Sequence, residues 1–322
     1  MDMLFFALNG SDRLGRQVAR VGEFEIARHE EREFDGGEHK ARPLVDVRGQ
    51  DVFVLHSLNG DRHTSANDKI LRLLFFLASC NEHGATRVTA IAPYLAYSRK
   101  DRQTKPYDPV TTRYVAQLFQ TTGVAMVVTL DVHNLAAFQN AYRCRTLHLS
   151  TDRLFATHIA AQSSKRPPAI VSPDPDGVKR AQLVRAALEE VTGGSVPFGF
   201  MEKRRSAGEV SGTHFAGDLE GCAVYIVDDM ICGGGTILRA AEAVRSRGAA
   251  EVHAMATHDL RTDAAVSAFS QTTLVNTITV TDSVAALEAT REKLGDRLRI
   301  LTCAPLIADA IKRLHHPLDG GQ

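Results

Sequence analysis

Six short runs rich in β-branched and apolar residues punctuate the chain, at 51–56, 87–92, 125–130, 169–172, 223–227 and 251–257, with helical segments between them. Such alternation builds βαβ units and mainly parallel sheets flanked by helices, because parallel neighbours need a crossover that covers a sheet face. Residues 67–83 and 236–247 carry apolar side chains at helical spacing, and each run stops at a glycine, Gly84 or Gly248, as helix C-termini favour. Asp108 followed by Pro109 reads as an N-cap and first helical residue, which predicts a helix running to about Thr121.

Two of the strands repeat one another. Gly84-Ala-Thr-Arg-Val-Thr-Ala-Ile-Ala matches Gly248-Ala-Ala-Glu-Val-His-Ala-Met-Ala, each after a strand and a helix, so the chain reads as two copies of one α/β domain. Its 322 residues suit two cores of that size. We place the domains at 1–149 and 150–322, with the last helix free to pack back on the first, and read 162–168 as a polar loop within the second.

Composition excludes several classes. Lys plus Arg and Asp plus Glu are 38 each, so the overall balance lacks the basic footprint of nucleic-acid binding, and a small-molecule partner is expected. Five widely spaced cysteines with no CxxC pair argue against a disulfide framework and a zinc knot, and for a reducing, cytoplasmic setting. The longest apolar stretch, 70–78, contains Arg72 and falls short of the roughly 20 residues that span a bilayer. The first ten residues lack a basic segment and a long apolar one, so neither export nor a membrane partner is expected.

The chemistry concentrates where the strand Val224-Tyr225-Ile226-Val227 runs into Asp228-Asp229, then Cys232-Gly233-Gly234-Gly235-Thr236 and a helix. The carboxyl ends of strands in open α/β sheets are where ligands bind. Three glycines let backbone N–H groups approach an anion, and the helix N-terminus and the Thr236 hydroxyl add donors, so a phosphate fits. The paired acids repel phosphate but can accept from sugar hydroxyls or hold hydrated Mg²⁺. A bare glycine-rich turn joining strand to helix is the plainer alternative.

Other segments carry charge in useful places. Arg99, Lys100 and Arg102 put three cations in four residues after a strand, a density suited to triphosphate oxygens or to a solvated loop. His133 follows Asp131 at a strand end. Asp174 sits in Asp174-Pro-Asp176-Gly177, which serves as a turn as readily as a site. Lys203-Arg204-Arg205 precedes a Ser-, Gly- and Thr-rich stretch, 206–217, with few apolar anchors, which predicts a mobile basic lid.

The string VYIVDDMICGGGTI resembles the phosphoribosyl-binding loop of type I phosphoribosyltransferases. Further motifs, in order from Phe34 to Thr236, narrow the resemblance to ribose-phosphate diphosphokinases. Phe34-Asp-Gly-Gly-Glu38 is similar to that family's adenine-contacting loop, and Tyr94-Leu-Ala-Tyr-Ser-Arg99-Lys-Asp-Arg102 to its nucleotide segment. Thr129-Leu-Asp131-Val-His133 resembles the segment supplying a metal-binding histidine, and Val171-Ser-Pro-Asp174 the one supplying a metal-binding aspartate. Lys203 and Arg205 match the catalytic loop.

The resemblance implies two tandem phosphoribosyltransferase-type domains and an enzyme that uses Mg²⁺ to transfer a diphosphoryl group from ATP to ribose 5-phosphate. Phe34, Glu38, Arg99, Lys100 and Arg102 would bind the nucleotide, and the 228–236 loop the sugar phosphate. One Mg²⁺ would lie near His133 and Asp174, and a second near Asp228 and Asp229. It further implies a homo-oligomer built from dimers, either a dimer or a hexamer.

Departures from the pattern bear on specificity. Family members carry aspartate and threonine where this chain has Cys232 and Gly233, aspartate at Gly36, glutamine at Lys100 and glycine at Asp176, and a longer basic stretch at 103–108. Donors other than ATP, a related sugar phosphate as acceptor, and a regulatory, catalytically weak paralogue therefore stay open. A phosphoribosyltransferase that consumes the diphosphate fits less well, because the chain carries a nucleotide segment.

Overall fold

The computed structural model describes residues 2–162, 166–206, 209–285 and 288–315, with side chains at 202–215 outside that description. The chain divides into one unit from Met1–Leu149 with Cys303–Gln322 and another from Ser150–Thr302. The C-terminal stretch from Cys303 groups with the first unit.

The first unit contains β1 (Met3–Ala7), α1 (Asp12–Gly22), β2 (His29–Glu33), β3 (His39–Pro43), β4 (Asp51–Leu55), α2 (Ala66–Glu82), β5 (Arg87–Ala92), α3 (Thr111–Thr121), β6 (Met126–Leu130), α4 (Leu135–Ala141) and β7 (Arg145–Leu149). Its sheet has the order β1-β4-β5-β6-β7, parallel throughout, while β2 and β3 form a separate antiparallel hairpin. A parallel sheet is stable only when both faces are covered, and β4 shows how alternation achieves it. Val52 and Val54 enter a cluster with Leu73, Leu77 and Phe119 from α2 and α3. Phe53 and Leu55 enter another with Val18 of α1 and Ile307 and Ile311 of the C-terminal helix Ala304–His315.

The second unit contains α5 (Asp152–Ala160), β8 (Pro168–Ser172), α6 (Val178–Thr192), β9 (Phe198–Ser206), β10 (Glu209–Ala216), β11 (Ala223–Ile231), α7 (Gly235–Arg245), β12 (Glu251–Asp259), α8 (Asp263–Gln271), β13 (Thr277–Thr281), α9 (Glu288–Leu294) and β14 (Leu298–Leu301). Its sheet order is β10-β9-β8-β11-β12-β13-β14, parallel except for β9 with β10. Tyr225 and Val227 pack with α5 and α6, and Val224 and Ile226 with α7 and α8.

The sequence repeat has a hydrogen-bonded counterpart. Gly84 and Gly248 take φ of 85° and 84°. Ala85 N donates to Cys80 O as Ala249 N does to Val244 O, and Thr86 N to Gln50 O as Ala250 N does to Cys222 O. The β4–α2–β5 and β11–α7–β12 segments are therefore copies of one supersecondary unit.

Two expectations are corrected. Helix α3 opens at Thr111 with no side-chain cap, because the Asp108 carboxylate instead accepts from Thr104 N, Thr104 Oγ1 and Lys105 N in the preceding turn. Strand β11 extends past Val227 to Ile231, since Asp228, Met230 and Ile231 remain paired with β12. The side chains of the expected lid at 203–217 fall largely outside the described residues; its described backbone lies mainly in β9 and β10, which pair antiparallel.

Candidate active site

In the second unit the chain leaves β8 for β9 on one side and returns to β11 on the other, so the crevice at the carboxyl ends of β8 and β11 is a topological switch point, where open α/β sheets bind ligands. Asp174 follows β8, and its Oδ1 accepts from Gly177 N at 2.9 Å. Asp228 and Asp229 lie within the last four residues of β11, with Asp229 N donating to Asp228 Oδ1 at 2.8 Å. Arg180 of α6 brings its Nη1 to 3.9 Å from Asp229 Oδ1, although Asp229 is only 3% exposed.

Burial, then the charge of Asp229 and more weakly that of Asp174, push the Asp228 carboxyl well above the usual carboxylate range. Mutual repulsion among these acids is a condition that a cation relieves. Among the described residues no three His, Cys, Asp or Glu side chains form a metal cage. A hard cation that keeps most of its waters needs only one or two carboxylates, so the two observations agree.

The glycine loop follows directly. Gly234 has φ of 75°, and a Cβ there would lie 2.7 Å from the Phe269 ring, so both conformation and space demand glycine. Helix α7 starts after Gly234 without any side-chain cap, which leaves first-turn N–H groups for an anion. The copy in the first unit differs at this point: α2 is closed by a capping box between Ser65 and Asp68. A Cβ added at Gly233 would meet nothing within 4 Å, whereas one at Gly235 would lie 3.3 Å from Arg239 Nη1. The Thr236 hydroxyl lies 3.5 Å from Arg239 Nη2, and the Cys232 carbonyl accepts from Thr262 N.

The nucleotide candidates of the first unit are held by short local bonds. Lys100 N donates to Tyr97 O, and Thr112 N and Oγ1 donate to Lys100 O, which folds the exposed Arg99–Arg102 loop back onto the start of α3. Asp101 Oδ2 accepts from Asn134 Nδ2 at 2.6 Å, and Asn134 caps α4, so the cationic loop is tied to the residue after His133. Asp131 holds φ of 38° at the end of β6, with His148 Nε2 3.8 Å from its Oδ1. Phe34 and Glu38 close the β2–β3 hairpin, where Phe34 N donates to Glu38 O and the Arg32 guanidinium lies 5.3 Å over the Phe34 ring.

The structure groups Asp174, Asp228, Asp229 and the Cys232–Thr236 loop in the second unit, and Arg99, Lys100, Arg102 and His133 in the first. Lys203 and Arg205 lie on β9, with side chains outside the described residues. Arg180 and Asn134 escape a sequence reading. Arg180 left one faint mark, a cation in the first turn of a helix, where the macrodipole disfavours it.

Tandem parallel α/β units, the second with an uncapped glycine loop and paired aspartates at its switch point, define the phosphoribosyltransferase-type fold class. The family model for the N-terminal domain of ribose phosphate pyrophosphokinase matches residues 3–123, and that for the phosphoribosyl transferase domain matches 150–288. The ribose-phosphate pyrophosphokinase of Granulibacter bethesdensis is 33% identical, over 97% of this chain and 96% of its own. That of Fusobacterium nucleatum is 32% identical over 96% and 94%. The crystal structure of phosphoribosylpyrophosphate synthetase from Mycobacterium smegmatis superposes with a TM-score of 0.88 at 28% identity, covering 98% of this chain and all of that one. The chain belongs to the ribose-phosphate pyrophosphokinase family.

Proposed function

We propose that the protein transfers the diphosphoryl group of ATP to the anomeric hydroxyl of ribose 5-phosphate, giving 5-phosphoribosyl 1-diphosphate and AMP. The observation that carries this reading is the Gly234 loop, uncapped and preceded by Asp228 and Asp229, at the switch point of the second unit. Its N–H groups and Thr236 hold the 5-phosphate, and the aspartates accept from the sugar hydroxyls. Arg99, Lys100 and Arg102 hold the triphosphate, and Phe34 and Glu38 contact the base.

Phosphoryl transfer depends chiefly on positioning and charge stabilisation. The anomeric oxygen attacks the β-phosphorus and the bond to the α-phosphate oxygen breaks, so AMP departs while the hydroxyl proton passes to solvent. Lys203 and Arg205 stabilise the charge that builds on the transferred group. Asp228 with Asp229 would hold one Mg²⁺, as the neighbouring carboxylates at β11 suit such an ion; His133 of the first unit and Asp174 of the second are each further candidate metal ligands. When bound, Mg²⁺ neutralises and orients the phosphate oxygens.

Cys232, a half-buried cysteine in the loop that forms no disulfide among the described residues, favours a second reading in which the acceptor is a related sugar phosphate. Two apolar pairs at i,i+4 spacing, Leu71 with Phe75 on α2 and Tyr114 with Leu118 on α3, are exposed, which supports assembly into a homo-oligomer built from dimers. Among the described residues no helix is long and apolar enough to cross a membrane.

A phosphorus NMR time course with Mg²⁺, ATP and ribose 5-phosphate, run beside Lys203→Ala, tests the reading. AMP and phosphoribosyl diphosphate are expected from the wild type and not from the variant. No product from the wild type with any nucleoside triphosphate would sink the catalytic assignment.

A further inference from the structure

Beside the sugar-phosphate loop lies an ion pair that the reaction scheme leaves unused. Arg261, whose side chain is 1% exposed, donates from Nε to Asp259 Oδ1 at 2.7 Å and from Nη2 to Asp259 Oδ2 at 2.6 Å. Its Nη1 is buried and has no hydrogen-bond partner among the described residues. An enclosed ion pair with an unsatisfied donor is a poor way to stabilise a fold, since an apolar pair of similar volume generally does as well or better. Its retention calls for another reason.

The backbone around the pair supplies one. Asp259 is the register partner of Ile231, the last residue before the loop. Leu260 N donates to Ile231 O at 2.9 Å and Thr262 N to Cys232 O at 3.3 Å. Helix α8, which this turn opens, carries the Phe269 ring that occupies the space beside Gly234. The turn from 259 to 262 is thus joined to the entry of the loop by two hydrogen bonds, and its helix packs against the middle of the loop. The fork between Arg261 and Asp259 spans this same turn and fixes its shape.

We propose that Arg261, held by Asp259, is a positioning residue that locks the Cys232–Thr236 loop in its anion-binding conformation and so sets affinity for ribose 5-phosphate. The affinity part rests on the reading of this loop given above; the locking part does not. Arg261 acts through the backbone of the loop and touches no substrate. Being neutral as a pair, Asp259 and Arg261 add little field at the phosphate; the effect is one of order.

The test compares the full-length wild type with Asp259→Leu/Arg261→Met, which replaces both charges, and with Arg261→Lys, which keeps the charge and loses the fork. Backbone hydrogen exchange of 231–236 without ligand is expected to quicken about tenfold in the double variant, while the melting temperature stays level or rises. The KM for ribose 5-phosphate is expected to rise about tenfold, with the KM for ATP moving less than twofold and Arg261→Lys falling between. Unchanged exchange in 231–236 overturns the proposal whatever the substrate proves to be. A parallel loss of melting temperature, both KM values and kcat also overturns it, because it marks a merely structural pair. Faster exchange in a protein whose wild type ignores ribose 5-phosphate leaves the lock standing and sinks the substrate assignment instead.

Discussion

Arg180 stands 3.9 Å from Asp229, a cation beside one carboxylate of the β11 pair in a crevice that gathers acids. A positive charge at that distance favours the ionised form of a carboxyl. Arg180→Met removes it, so the acid pair protonates at higher pH. The acid limb of the kcat/KM profile for ribose 5-phosphate is expected to move up by about one pH unit, since neighbouring opposite charges shift carboxylates on that scale. A limb that stays in place while kcat/KM falls uniformly would show that Arg180 acts on substrate directly.

The same electrostatics make a prediction about stability. Burial and the charge of Asp229 raise the Asp228 carboxyl in the folded chain above its unfolded value. Folding therefore favours the protonated form: the stabilisation is full below the ordinary carboxylate range and is lost as pH rises through the raised value. Above the ordinary carboxylate range Asp228 is therefore a load on the fold. Asp228→Asn removes that load, and without added metal its melting temperature at pH 7.5 should exceed that of the wild type by about 2–4 °C, the scale of 1 kcal/mol in a domain of this size. The gain should vanish near pH 4 while activity is lost at both. Calorimetry across that range checks it, and a lower melting point at pH 7.5 contradicts it.

Neighbouring glycines of the loop should respond differently to alanine. At Gly234 a side chain faces a positive φ and the Phe269 ring at 2.7 Å, so Gly234→Ala is expected to cost about 1–3 kcal/mol in urea unfolding and to weaken ribose 5-phosphate binding. At Gly233 an added Cβ meets nothing within 4 Å, and Gly233→Ala should leave stability within about 0.5 kcal/mol. Equal losses at the two positions would mean that the loop is not held as described.

Legibility in the sequence followed the range of the physics involved. The strand at 87–92 coincides with β5, because a continuous apolar run bounded by turn residues is a local signal. The end of β11 was hidden by Asp228 and Asp229, which look like loop residues yet stay in the ladder because a strand end at a crevice tolerates polar side chains. Asp108 misled because a carboxylate before a proline can cap a helix or close a turn, and the choice depended on Thr104 and Lys105. Arg180 beside Asp229 and Arg261 beneath the loop depend on which strands become neighbours, and no spacing in the chain encodes that. The glycine loop was legible as a phosphate site, but its contrast with the self-capped α2 emerged only when the two copies could be laid side by side.

The attachment of the C-terminal helix offers a last test. Asp51 is fully buried at the start of β4, and it accepts from Arg87 Nε at 2.8 Å and lies 2.9 Å from His315 Nδ1. Arg87 Nη2 also donates to Leu314 O at 2.7 Å, so one guanidinium joins two strands to the end of the helix. Arg87→Met leaves Asp51 without its main counter-charge and frees the Leu314 carbonyl. Breaking a buried pair on one side costs about 3–5 kcal/mol, and the partial exposure of Arg87 places this case at the lower end. Urea unfolding should report that loss, and backbone exchange should quicken at 304–315 more than in α2, since Ile307 and Ile311 would keep their apolar contacts while the helix end is released. Arg87→Lys should restore charge without the fork and recover only part of the stability. If exchange rises evenly across the unit instead, Asp51 serves the sheet as a whole and the helix is held by its apolar face alone.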